Sequence, residues 1–314
     1  MSAFSEFSEF SEFQCISPAG DRCGEALVWS EPERALYWAD INRFLIHRHD
    51  LDTQATRSWF FAEPVVALAL SDEPGRLLVA LASRLLWWWP HSDRRQDQGV
   101  SLPGYPGVRF NDGRADPRGD FWVGSMKNNV RPDGELGEVG PGLGELWQVR
   151  TRSRASAEGT GVVTVWRQGL GISNTLCWSP DRTRFYFADT LANCLWVYDY
   201  DPGSGRIANP REFFAGFERG VPDGSAIDAD GHLWNCRYGG GCIVRLTPQG
   251  RIDRIVETPV ANPTTCAFGG RDGRTLYFTS AANQAPPGDR LAGSVFAWRA
   301  PVAGLAENRV HVQA

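Results

Sequence analysis

Residues 24–41 read GEALVWSEPERALYWADI, and residues 172–190 read ISNTLCWSPDRTRFYFADT. Each stretch is a short apolar strand, a turn rich in Pro, Asp or Gly, and a second strand alternating apolar and small residues. The period of two in LYWAD and FYFAD marks strands with one face buried. The same pattern recurs as PVVALALSDEPGRLLVAL at 64–81 and FNDGRADPRGDFWVGSM at 110–126. It returns as PDGSAIDADGHLWNCRY at 222–238 and PTTCAFGGRDGRTLYFTSA at 263–281. A third strand follows each copy, among them RLLWWWP at 84–90, GELWQVR at 144–150 and CLWVYDYD at 194–201.

The last apolar residues of the six first strands are Trp29, Leu70, Ala115, Trp178, Ile227 and Phe268, spaced 41, 45, 63, 49 and 41 residues apart. These steps bracket the ~40–50 residues of a four-stranded propeller blade. The long step holds the insertion MKNNVRPDGELGEVGPGLGE at 126–145. The sequence therefore predicts an all-β, six-bladed β-propeller with a central metal site. A pair of sandwiches would not require six copies of one motif. Residues 15–314 form one domain, because ring closure joins the first and last blades. Residues 1–14, which carry the repeat FSEFSEFSEF at 4–13, are expected to be a disordered tail.

Composition narrows the function. Lys and Arg number 32 against 37 Asp and Glu, a net charge of −5, so the chain lacks the basic footprint of a nucleic-acid binder. No stretch approaches the roughly 18 apolar residues of a membrane span. The N-terminus has no basic segment before an apolar run, so no export signal is read and a cytoplasmic location is expected. Seven scattered Cys without a CxxC pair favour reduced, buried thiols over a disulfide framework. There is no GxSxG elbow and no phosphate-binding GxGxxG. Asp112-Gly113, Asp133-Gly134, Asp272-Gly273 and the glycines at 239–241 read as turns and backbone-packing sites. The consecutive Trp87, Trp88 and Trp89 read as blade packing rather than a sugar platform.

Innermost strands of a propeller line its channel, so one repeat offset gives one height on the axis. Four residues before each anchor stand Glu25, Val66, Asn111, Asn174, Asp223 and Thr264. Each polar one alone reads as a turn or cap residue that bonds nearby backbone. Together they put two carboxylates and two amides at a common axis, where they need a counter-charge. A divalent cation in an oxygen shell supplies it. Ca2+, Mg2+, Mn2+ or Zn2+ is expected, with the absence of His and Cys at this offset counting against a structural zinc site.

The motifs GEALVW, RFNDGRADPRGDFWVGSM, GISNTLCWSPDRTRFYFADT, GVPDGSAIDADGHLW and NPTTCAFGG, in this order, resemble those of the senescence marker protein/gluconolactonase/luciferin-regenerating-enzyme-like family. The likeness runs from about residue 20 to 300. It implies a propeller with one divalent metal in its channel, acting on a sugar lactone. It also implies metal ligation by Glu25, Asn174 and Asp223, the residues that the offset selects. Arg109 and Asn111 fall on the family's substrate-holding pair. The motif GSMKNN puts Asn129 where some members carry an acid that touches the sugar, which changes the charge beside the substrate.

The expected reaction is hydrolysis of an aldonolactone, with Asp223 as general base or as ligand only. Competing readings are a Ca2+-binding regulatory propeller without turnover and a promiscuous esterase or organophosphate hydrolase. The insertion from Lys127 to Glu145 is expected to lie over one mouth of the channel.

Overall fold

The first strand of each repeat is almost wholly buried, packed on both faces, although only the second copy is an unbroken apolar run. These strands are Gly24–Ser30, Val65–Leu70, Val108–Ala115, Ser173–Trp178, Val221–Ile227 and Pro263–Gly269. Each heads a four-stranded antiparallel sheet. The computed structural model describes residues 13–150 and 162–311 and is a six-bladed β-propeller, with no α-helix among the described residues. Nor is any helix there long and apolar enough to cross a membrane. Outer strands such as Arg94–Ser101 and Ile252–Glu257 are exposed and charged, which protects the sheet edges from pairing with other chains.

Blade six takes its outermost strand from the other end of the chain. Gln14–Ser17 pairs with Val295–Arg299, Gln14 opposite Ala297 and Cys15 opposite Phe296. The Phe13 ring meets Phe278 edge-on at 5.4 Å between centroids. Phe13 and Gln14, inside the stretch read as a tail, thus join blade six; residues 1–12 of that stretch lie outside the described residues.

The apolar core lies in the seams between blades. Tyr37, Trp59 and Phe61 of blade one enclose Leu86 and Trp88 of blade two. Trp87, one residue earlier, points to the opposite face and packs with Phe110 and Trp147 of blade three. The tryptophan run therefore serves packing, as its alternation requires. All seven Cys are free, five of them buried.

Every innermost strand carries a register shift at the same place. Glu25 pairs with Ala39 while Val28 pairs with Tyr37, so three steps on one strand face two on the other. The same extra residue occurs between Asn174 and Cys177, between Phe110 and Gly113, between Pro222 and Ser225, between Val65 and Ala67, and between Pro263 and Cys266. Such bulges bend a strand and re-aim its side chains. Ala26 and Thr175, each following a channel residue, adopt left-handed φ of 57° and 53°. Asp112-Gly113 lies within such a bulged strand and not in a turn, which corrects that half of the sequence reading, while the close packing holds, since a Cβ on Gly113 would stand 2.9 Å from Trp122 O.

Residues 303–311 run across the ends of the inner strands away from the bulges. Leu305 N donates to Ile227 O at 3.0 Å, Val310 N to Leu70 O at 2.8 Å, and His311 N to Gly119 O at 3.0 Å. Glu307 pairs with Arg114 at 3.5 Å. This strap ties blades two, three, five and six across one end of the propeller.

Candidate active site

A cavity of about 610 Å³ occupies the opposite end of the channel and is lined by Glu25, Arg109, Asn111, Asn129, Asn174 and Asp223. The structure thus brings all six residues singled out from the sequence to one space. The other two residues at the repeat offset are absent from its wall. Val66 packs in the apolar core. Thr264 Oγ1 donates to Gly24 O, stitching blade six to blade one.

A polar chain runs around three blades. Arg109 donates through Nη1 to Phe110 O at 2.8 Å and Asn111 Oδ1 at 2.7 Å. Its Nε and Nη2 both reach Asn129 Oδ1, at 3.1 and 2.8 Å. Asn111 Nδ2 donates to Asn174 Oδ1 at 3.1 Å and Ser173 O at 2.9 Å. Asn174 Nδ2 donates to Thr190 Oγ1 at 2.8 Å, and that hydroxyl donates to Pro222 O at 2.7 Å. Thr190 thereby fixes the amide with its Oδ1 turned to Asn111. Sequence reasoning passed over Thr190, although it directly follows the FAD of its repeat.

The charge on Asp223 acts on Glu25 across the channel, and both carboxyls are held well above the usual carboxylate range. Burial is the main cause for each. The Asp223 charge next raises Glu25, and the Asp112 charge next raises Asp223. Asp112 is itself raised by burial, against the pull of Arg114. Glu25 is 9% exposed and Asp223 7%. Among the described residues no Lys, Arg or His pairs with either carboxylate. Arg109 is the nearby cation, but its guanidinium is committed to amide and carbonyl oxygens, and burial lowers it to about 10. Two buried carboxyls and an amide oxygen on the wall of one cavity, with no ion-pair partner for either acid among the described residues, are a donor set suited to a hard divalent cation.

A second acidic group does not fit one. Asp228, Asp230 and His232 bring donor atoms within 4.8 Å of one another. Asp228 is already engaged by Trp234 Nε1 at 2.9 Å and by Arg245 at 2.7 and 2.9 Å. Asp116 braces Trp122 and Tyr200 in the same way in blade three, both at 2.9 Å. These aspartates hold blade turns.

The insertion covers part of the mouth. Leu136, Gly137, Glu138 and Val139 line the cavity. Gly137 N returns to Asn129 O at 2.7 Å, which pins the loop to its own root. Glu135 pairs with Arg22, and Gly134 O accepts from Asn42 Nδ2 at 2.7 Å, so blade one anchors its far side. Cys23, Tyr238, Asn283 and Gln284 complete the polar part of the wall. They lie outside the repeat offset, so periodicity carried no sign of them.

Fold and site together define a six-bladed propeller with an acidic, oxygen-rich centre in its axial channel. The family model described as SMP-30/Gluconolactonase/LRE-like region matches residues 23–282, and the chain belongs to that family. It is 33% identical over 302 residues to a 6-deoxy-6-sulfogluconolactonase of Pseudomonas putida, covering 94% of this chain and 97% of that one. It is 34% identical over 313 residues to an L-arabinolactonase of Azospirillum brasilense, with the same coverage of 94% and 97%. A solved structure of regucalcin, a calcium-binding protein of Agrobacterium tumefaciens, superposes with a TM-score of 0.84 at 26% identity, covering 94% of this chain and 96% of that one.

Proposed function

We propose that the protein hydrolyses a sugar lactone to the free aldonic acid and depends on a divalent cation. The observation that carries the reading is the buried, unpaired carboxyl pair Glu25–Asp223 facing the Arg109–Asn129 wall across one cavity. The lactonase relatives support the substrate class.

Glu25, Asn174 and Asp223 hold the cation, which when bound supplies Lewis acidity to the ester carbonyl and charge stabilisation to the oxyanion. The protein's own groups do the rest. Asp223 accepts the proton of the attacking water from the wall of the same cavity. Arg109 offers donors in a fixed plane to ring hydroxyls or the ring ester. Asn129 orients Arg109 and presents an amide, not an acid, to the substrate. Asn111 fixes the Asn174 oxygen and buttresses Arg109. The apolar segment of the insertion, with Leu136 and Val139, limits water at the mouth.

The test is acid release from a panel of aldonolactones, with and without chelator. Turnover lost on chelation and restored by a divalent cation is expected. Asp223→Ala should abolish cation binding and lactone turnover together, because the cation and the base are lost at once. Cation binding without turnover on any lactone would instead favour a binding protein.

A further inference from the structure

The reaction leaves one side of the cavity without a role. The reacting groups come from blades one, three, four and five. Across from Arg109 stand Tyr238, at the end of the second strand of blade five, and Asn283-Gln284, in the loop after Thr275–Ser280 of blade six. Most of the remaining wall is apolar, including Met126, Ile172, Leu191 and Val221.

The polar groups on this side are held firmly. Asn283 N donates to Arg22 O at 2.9 Å, and Asn283 O accepts from Asn262 Nδ2 at 3.0 Å. Tyr238 shares its single phenol proton between Asn283 O at 2.9 Å and Gln284 Oε1 at 3.1 Å. That contact orients the exposed Gln284 amide through Oε1, and among the described residues no protein group accepts from its Nε2. Asn283 Nδ2 beside it is also without a partner. Gln284 has a left-handed φ of 60°, a region that favours glycine, yet a long amide side chain stands there at the cavity wall. Asn42, by contrast, donates to Gly134 O, and Thr190 serves Asn174.

We propose that Gln284, oriented by Tyr238, determines specificity by donating from Nε2 to a hydroxyl on the exocyclic tail of the lactone. The inference rests on the lactonase reading. With the ester carbonyl at Glu25, Asn174 and Asp223 and the ring hydroxyls at Arg109 and Asn129, the substituent beyond the ring oxygen meets the blade-six wall. Tyr238 is a positioning residue, and the substrates selected are hexonolactones with a hydroxymethyl tail over pentonolactones of the same ring.

The test compares glucono-δ-lactone with xylono-δ-lactone, the same ring without the exocyclic carbon. Gln284→Gly removes the amide at a backbone position that glycine adopts freely, so the melting temperature should not fall. The kcat/KM ratio between the two lactones should drop by about 3–10-fold, the worth of one neutral hydrogen bond, with KM for the gluconolactone carrying the change. Tyr238→Phe should shift the ratio in the same direction by less, again through KM. An unchanged ratio in Gln284→Gly, or a loss seen in kcat alone, overturns the inference while leaving the lactonase reading in place. Wild-type protein inert on every lactone overturns both.

Discussion

Glu25 and Asp223 are buried carboxyls in one channel, and each holds its proton more tightly than an exposed acid does. The folded pKa of each lies above its unfolded value, so the cation-free folded chain binds more protons than the unfolded chain between those values. Stability of the cation-free protein is therefore full below the ordinary carboxylate range, near pH 4, and falls as pH rises through the raised values. Melting curves across that range in the presence of chelator should show the decline, and saturating divalent cation should remove it. Cation binding should also release protons, read as a dependence of the binding enthalpy on buffer ionisation. Stability rising with pH in chelator would contradict the assignment. The four channel residues Glu25, Asn111, Asn174 and Asp223 were legible because they share one repeat offset. Thr190, Tyr238 and Gln284 were not, because each stands at a strand end or in a loop where the repeat sets no register.

At the scale of the element, the inner strands were legible from the recurring strand–turn–strand motif, and the bulge within each was not. A bulge is set by how two strands pair, and no residue type marks it in all six copies. It decides the site nonetheless, since it lets Glu25, Asn174 and Asp223 leave the strand's regular alternation. The PDG motif shows how closely the blades approach there. A Cβ on Gly224 would stand 2.2 Å from Thr265 Oγ1 and 2.8 Å from Thr265 Cα on blade six. Gly224→Ala should cost about 1–3 kcal/mol by overpacking, measured by denaturant unfolding, and should weaken cation binding because Asp223 precedes it. A neutral effect on both would show that the seam is looser than described. Asp112-Gly113 misled the sequence reading for the same reason. The pair has turn chemistry, but its strand bulges there, and Asp112 adds a third carboxyl to the field of the channel.

Across the whole molecule, circular closure makes the site. Glu25 and Asp223 are far apart in sequence and meet only because Gln14–Ser17 completes blade six and seats it against blade one. Closure could be inferred from six repeats, but the strand that closes the ring carries no repeat signature and was partly assigned to a tail. The strap at 303–311 holds the other end of the channel. Ending the chain after Ala300 would remove its hydrogen bonds to Leu70, Gly119 and Ile227 and leave Arg114 without Glu307. The melting temperature should then fall by about 5 °C or more. An unchanged melting curve would show that the strap does not tie the blades.

The central claim is that ring closure delivers Glu25, Asn174 and Asp223 to one cation. Calorimetric titration of the chelator-treated protein with Ca2+ and Mn2+ tests it most directly, repeated on Glu25→Ala and Asp223→Ala with folding checked by circular dichroism. One ion per chain in the wild type, and none in either folded variant, is the expected result. Undiminished binding in both variants would place the ion elsewhere and contradict the account.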